Sequence, residues 1–356
     1  MPALATSSRA EPMSASRGQQ QGAGNRDVIV VGGSAGGVGA MRELAVSLPA
    51  DLPAAVLVAI HRGPDQPSLL AQVLDAAGPL PAVAAEEGQR LERGRIHVAP
   101  ADRHLLVERD HLHVRRGPRE NHSRPAIDPL FRSAAATCST RVIGVLLSGT
   151  LNDGTSGLLA IKRCGGVAVV QDPKDAAYPD MPRNALAYAA VDHVRPRAGI
   201  APLLAELAAT PHPPPVKVPE EIRIEALIAA EELFVMPDQH RLGKLSPLTC
   251  PDCDGSMQEI REDGLVRYRC HTGHAFTLEA LRVAAGEAWE RTLYGAMRAQ
   301  QQQAMVVRRM ADEARRQGHQ RAAAEYERRA LDYEEGAKVI RRLAARGGKT
   351  APAPPA

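Results

Sequence analysis

Val28–Gly37 reads VIVVGGSAGG: four β-branched residues run straight into a glycine-rich turn that holds one serine, Ser34. β-Branched side chains are stiff and suit a pleated strand, and flanking glycines permit a sharp reversal of the chain. Helical sequence follows at once and ends near Leu48. Strand, turn and helix together, with Gly32, Ser34 and Gly36 in register, satisfy the G-x-S-x-G pattern of a nucleophile elbow. Such a turn pushes a hydroxyl out of the sheet edge and aims the free N–H groups of a helix start at a developing negative charge. Two other readings of the local pattern stay open. One is a phosphate or dinucleotide turn, against which stand the missing G-x-G-x-x-G spacing and a histidine, not an acid, closing the second strand. The other is a tight structural turn with an incidental serine.

Working outward, AAVLVAIH is a second strand ending at His61, and RIHVAP from Arg95 is a third. HLLVERDHLHVRR reads as an antiparallel hairpin turning near Asp110, and IDPLFRSAAATC as a helix with Asp128 as N-cap and Pro129 at its first position. VIGVLLSG ends near Ser148 and GVAVVQ near Gln171. Continuous apolar strands alternating with helices predict an α/β fold, a mostly parallel, doubly wound sheet covered by helices on both faces. Ser34, His61 and Asp153 then fall at carboxyl ends of strands, where open α/β sheets place their sites. Histidine can take the serine proton, and a carboxylate can hold the imidazole tautomer.

Composition narrows the function classes. A net charge of +3, without a basic patch interleaved with aromatics, argues against nucleic acid as partner. No apolar run is long enough for membrane insertion, and the first 26 residues lack the apolar core of a secretory signal. The chain therefore reads as cytoplasmic. Five cysteines, an odd number with three at metal-ligand spacing, fit that compartment. Cys138 and Cys164 are expected to be buried, and His97 and His104 to be structural.

GGSAGG, the strand ending in His61, NHSRPAIDPLFRSAA and LLSGTLNDGTSGL together resemble the catalytic domain of the CheB-type chemotaxis methylesterases. RIHVAPADRHLLV, QDPKDAAYPDMPRNAL and AVDHV continue the likeness in the same order, over roughly residues 27–196. The resemblance implies protein-glutamate methylesterase activity on a methyl-accepting chemoreceptor or related signalling protein, with glutamine deamidation as a companion reaction in some members. It also implies Ser34 as nucleophile, His61 as general base and Asp153 as orienting carboxylate, with no cofactor for catalysis. Asn121 and Arg124 either shape the cleft or anchor a loop. The chain departs from the family pattern in three places. Arg62, Gly63 and Pro64 follow the histidine where methionine and proline are usual. Thr150 stands where methionine is usual. A short leader stands where the family has a phosphorylated receiver domain. From a different class, a noncatalytic signalling scaffold remains the alternative.

Beyond PHPPPVKVP (Pro211 to Pro219) lies a second signal: Cys250 and Cys253 in CxxC, then Cys270 after sixteen intervening residues, then His274. A Cys₃His set of this spacing closes one tetrahedral Zn²⁺ as a structural site. His271 is the rival fourth ligand, and a redox CxxC the rival chemistry. The knuckle is expected to stand apart from the Ser34 domain, so that metal removal leaves hydrolysis largely intact. In the tail, Trp289, Leu293, Ala296, Val307 and Met310 form one stripe and Tyr326, Ala330, Tyr333, Ala337 and Ile340 a second, with Gly318 between. They predict a helical hairpin that offers a face to a helical partner. The expected organisation is a disordered leader (1–26), a catalytic domain (27–200), a linker (201–246), a zinc-ribbon-like knuckle (247–276), the hairpin (277–346) and a disordered tail (347–356).

Overall fold

The computed structural model describes residues 24–63, 69–231 and 242–347. The expected leader and tail, and Pro64, lie almost wholly outside the described residues. In chain order the first part runs β1 (Val28–Gly33), α1 (Gly37–Ser47), β2 (Ala55–Ile60), α2 (Leu70–Asp75), β3 (Ala82–Ala84) and β4 (Ile96–Val98). It continues with β5 (His104–Glu108), β6 (His111–Arg115), α3 (Ile127–Cys138), β7 (Val142–Leu146), α4 (Thr155–Arg163) and β8 (Val167–Gln171). Then come α5 (Asp180–Tyr188), β9 (His193–Arg195) and α6 (Arg197–Ala209).

Seven of these strands form one sheet in the order β3-β4-β2-β1-β7-β8-β9, and each neighbouring pair is parallel. Its two faces bury alternate residues of the same strands, as a period of two requires. Ile29, Val31, Val56 and Val58 pack with α1, α2 and α6, whereas Val28, Val30, Ala55 and Leu57 pack with α3, α4 and α5. The chain winds outward one way through β2 and the other way through β8, so the order reverses between β1 and β7. That crevice is the usual place for a site in such sheets. The hairpin β5–β6 pairs antiparallel apart from this sheet, as its sequence predicts.

Order extends into the stretch expected as linker. α6 reaches Ala209 and buries Ile200, Leu203 and Leu204 in the core. After the proline-rich segment, which is tied down where Thr140 Oγ1 donates to Pro213 O at 2.8 Å, comes α7 (Glu220–Ala229). Residues 232–241 lie outside the description.

The knuckle is an antiparallel sheet of β10 (Lys244–Thr249), β11 (Ser256–Glu262), β12 (Leu265–Cys270) and β13 (Ala275–Thr277). It does not stand apart. Arg267 and Arg269 of β12 enter a buried charge cluster with Glu225 of α7 and with Glu120 and Arg132 of the first domain. Charged side chains are buried only when paired, and this cluster pairs them across all three segments.

Two helices follow, α8 (Leu278–Arg316) and α9 (Gln320–Gly347), packed against each other across a turn at Gly318, φ 79°. The second expected stripe holds, with Ala330 and Ala337 buried. The first holds at Val307, which is buried, but not at Trp289 and Met310, which are 46% and 43% exposed, nor at Ala296, which is exposed too. The seam is made instead by Ala304, Val307, Ala311 and Ala314 facing Ala323, Ala330, Ala337 and Ala344. Small side chains let the two backbones approach closely, which leaves the large ones outside. Among the described residues no helix is long and apolar enough to cross a membrane.

Candidate active site and metal cluster

β1 delivers its turn at the switch point. Gly36 takes φ 75°, a left-handed value that disfavours any side chain, and a Cβ there would meet Ser148 Oγ at 2.7 Å. The helix α1 starts at the next residue. The Ser34 N–H donates back to Ser148 O at 3.0 Å, which locks the elbow to the end of β7. The N–H groups of Ala35 and Gly36 have no partner among the described residues. They are therefore free to meet an oxyanion.

Ser34, His61 and Asp153 converge as the strand ends predict. The Ser34 hydroxyl lies 3.1 Å from His61 Nδ1, and His61 Nε2 lies 2.6 Å from Asp153 Oδ2. The imidazole thus presents Nδ1 to the serine and donates its Nε2–H to the carboxylate. Burial would raise the Asp153 carboxyl. The bonds from His61, the Ile127 N–H and the Asn121 amide outweigh it and hold the group at about 2. An imidazole backed by an ionised, oriented carboxylate can take a proton from a hydroxyl.

Asp153 has a second task. Its Oδ2 accepts from the Ile127 N–H at 2.7 Å and its Oδ1 from the Asp128 N–H at 3.2 Å, so it caps α3 through space. Asp128, expected as that cap, lies inside the first turn, and the cap position is Ala126. Asp128 is buried, accepts from the Gly157 N–H at 2.6 Å and from Asn121 Nδ2 at 2.9 Å, and is pushed well up by burial and by Asp153.

Arg124 and Asn121 both line the cleft, and each also holds its surroundings in place. The Arg124 guanidinium is taken up by Asp102 at 2.7 Å and by Gly117 O at 2.7 Å, an anchor for the loop before α3. Asn121 Nδ2 donates to Asp153 Oδ1 at 2.9 Å and so belongs to the site itself. His104 is structural, with its Nε2–H on Pro118 O at 2.9 Å and its Nδ1 accepting from the Ala126 N–H at 3.2 Å. His97, the middle residue of β4, is buried. Cys138 and Cys164 are buried, which pushes their thiols up to about 12 and about 11 and leaves them unreactive.

The cleft above Ser34 has a volume of about 410 Å³. Arg62, Arg119, His122 and Thr150 line it beside the three site residues. Arg119 has no ion-pair partner among the described residues. Arg119 carried no motif in the sequence, because a lone cation in a loop has no periodic or spacing signal, whereas His122, inside the NHSRP block, lies 2.9 Å from Glu287 of α8.

The knuckle brings Cys250, Cys253, Cys270 and His274 together with their ligand atoms all within 4.8 Å of one another. Tetrahedral zinc with bonds of ~2.3 Å to sulfur and ~2.0 Å to nitrogen requires sulfur–sulfur edges of ~3.8 Å and sulfur–nitrogen edges of ~3.6 Å. Cys253 Sγ to Cys270 Sγ is 3.7 Å, and Cys270 Sγ to His274 Nδ1 is 3.6 Å. The set fits a tetrahedral metal. His271, the rival ligand, is exposed and outside the cluster.

Comparison with known proteins agrees with this fold. The profile of the CheB methylesterase family matches residues 29–204. A relative from Leptospira interrogans, named provisionally a protein-glutamate methylesterase/protein-glutamine glutaminase, is 38% identical over 184 residues, 51% of this chain and 95% of its own length. The chain belongs to the CheB methylesterase family. A second family member, the protein-glutamate methylesterase/protein-glutamine glutaminase of Paraburkholderia xenovorans, is 39% identical over 171 residues, 47% of each chain. The crystal structure of the Thermotoga maritima CheB methylesterase catalytic domain superposes with a TM-score of 0.50 and 29% identity, over 51% of this chain and 98% of that one. The family region is thus the seven-stranded domain with α6, and the knuckle and hairpin lie beyond it.

Proposed function

We propose that this chain is a serine-type protein-glutamate methylesterase that hydrolyses glutamate γ-methyl esters on chemoreceptor-like proteins in the cytoplasm, with glutamine deamidation as a companion reaction. The observation that carries the reading is the line from Ser34 Oγ through His61 to Asp153, at 3.1 and 2.6 Å, beside two free backbone donors. The names of the relatives point to the same ester and amide chemistry.

In this reading Ser34 Oγ attacks the ester carbonyl as His61 Nδ1 takes its proton. The carbonyl oxygen gains negative charge facing the Ala35 and Gly36 N–H groups. Collapse of the tetrahedral intermediate breaks the bond to methoxide, which leaves as methanol with the proton from His61. Water then attacks the glutamyl ester of Ser34 with His61 again as base, and glutamate departs. Asp153 stays ionised and stabilises the imidazolium at both steps. The cations Arg62 and Arg119 suit a substrate segment rich in carboxylates.

The four-residue cluster holds a structural Zn²⁺ in the same proposal, since a closed Cys₃His set leaves no open position for substrate. Methanol release from methylated receptor tests the hydrolytic reading. Ser34→Ala and His61→Ala are expected to lose about 10⁴-fold or more. Near-wild-type turnover in either variant, with binding retained, would favour the scaffold instead.

A further inference from the structure

The knuckle reaches Asp153 through one side chain. β13 lies along residues 119–121, with the Asn121 N–H donating to Ala275 O at 2.8 Å and the Ala275 N–H to Arg119 O at 3.3 Å. The Thr277 N–H donates to Asn121 Oδ1 at 3.0 Å. That bond fixes which way the amide faces, because an N–H requires the oxygen. The Asn121 Nδ2 is thereby turned inward, where it donates to Asp153 Oδ1 and Asp128 Oδ2, both at 2.9 Å. Asn121 also sits at φ 49°, a left-handed value that asparagine adopts more readily than other side-chain-bearing residues. The element that holds the Asn121 amide oxygen is β13, which follows directly on His274. The turn from Cys270 to His274 is closed by the Cys270 N–H on His274 O at 2.9 Å, so the four-ligand cluster sets where β13 begins. A parallel link runs through the residue before Asp153: Asn152 bonds Thr277 Oγ1 and donates to Glu279 Oε2 at 2.7 Å.

We propose that Asn121 is a positioning residue for Asp153, and that the metal-bound knuckle acts on hydrolysis by setting the Asn121 amide. The proposal rests on the reading of Ser34, His61 and Asp153 as the hydrolytic group. It reverses the expectation that metal removal spares the reaction. Without β13 in place the Asn121 amide is free to rotate, and Asp153 loses a donor that helps to aim it at His61 Nε2. The effect falls on the chemical step, because Asn121 acts on the carboxylate behind the imidazole.

The test uses the full chain, metal-loaded and after chelation, as wild type, Asn121→Ala, Asn121→Asp, Cys253→Ser and Ser34→Ala. Three readouts are taken: kcat and KM for methyl-ester hydrolysis, the rate of fluorophosphonate labelling at Ser34, and the downfield proton resonance of the His61–Asp153 hydrogen bond. Loss of one hydrogen bond to a charged group corresponds to roughly a ten- to hundredfold effect. Loaded Asn121→Ala and metal-free wild type are each expected to lose that much in kcat with KM within about twofold. Labelling should slow in parallel, the proton should shift or vanish, and chelation of Asn121→Ala should cost nothing further. Asn121→Asp, which keeps the acceptor for Thr277 but adds a charge, should be slower than the alanine variant. Wild-type kcat and an unmoved proton in Asn121→Ala would overturn the proposal, as would full activity in metal-free wild type whose knuckle has lost its order. If Cys253→Ser fails to fold, chelation and the Asn121 variants still decide. Activity surviving in Ser34→Ala would sink the hydrolytic reading, whereas a silent Ser34→Ala beside a fully active Asn121→Ala would sink this inference alone.

Discussion

Glu225 ties three parts of the chain together, and its removal has a calculable cost. Its carboxylate accepts from both terminal nitrogens of Arg267 at 2.9 Å and from Arg269 Nε at 3.0 Å, with Arg132 Nε 3.6 Å away. Burial alone would raise it, yet Arg132, Arg267 and Arg269 hold it well below the usual carboxylate range. Three buried guanidiniums now face three carboxylates, Glu120, Glu225 and Glu262. Glu225→Ala leaves three buried cations against two anions. Breaking one partner out of a buried pair costs about 3–5 kcal/mol. At ~1.4 kcal/mol per factor of ten, that multiplies the undocked fraction of the knuckle by two to four orders of magnitude. Hydrogen exchange followed by mass spectrometry reads the result locally. Amides of β11, β12 and β13 should lose protection while those of β1 and β2 change little. Glu225→Gln should fall between, and Glu313→Ala on the exposed face of α8 should leave exchange untouched. If the β12 amides keep wild-type protection in Glu225→Ala, the charge cluster does not hold the knuckle in place.

Other outcomes follow from single residues. With its folded value at about 2, below an ordinary value of 3.8, Asp153 contributes about 2 kcal/mol that is present above about pH 4 and lost as pH falls through 2. Denaturation midpoints of wild type and Asp153→Asn should therefore converge toward pH 2, and a gap independent of pH would contradict the assignment. Gly36→Ala should cut turnover much more than it lowers the melting temperature, because its Cβ would press on Ser148 at 2.7 Å beside the free N–H groups; wild-type turnover would show the elbow to be more pliable than described. Arg119→Glu should raise KM for an acidic methylated peptide and spare that for a neutral ester, and equal effects on both would remove Arg119 from substrate recognition.

The parts of this fold that were legible in the sequence are those written in local patterns. The strand runs around Val28, Leu57 and Val145 and the turn at Ser34 signal themselves within ten residues. The cysteine spacing likewise placed Cys250, Cys253, Cys270 and His274 together. What escaped was set by distant partners. Asp128 has the look of an N-cap, but the cap comes from Asp153, 26 residues beyond the N–H of Ile127. Trp289 and Met310 looked like seam residues because hydrophobicity marked them, whereas close packing chose alanines. The seating of the knuckle depends on Asn121 meeting Thr277 across 156 residues and Glu225 meeting Arg267 across 42. Neither separation leaves a periodic trace.

The capping of α3 by Asp153 bears on how this scaffold could change over generations. One carboxylate serves a helix terminus and an imidazole, so most replacements at 153 would injure folding together with chemistry. Asparagine retains the most: its oxygen can still accept from the Ile127 N–H, at the cost in stability given above, while it carries no charge to hold a cation on His61. A lineage that abandoned hydrolysis but kept the domain as a binding platform would be expected to pass through asparagine at 153. This chain has kept aspartate there.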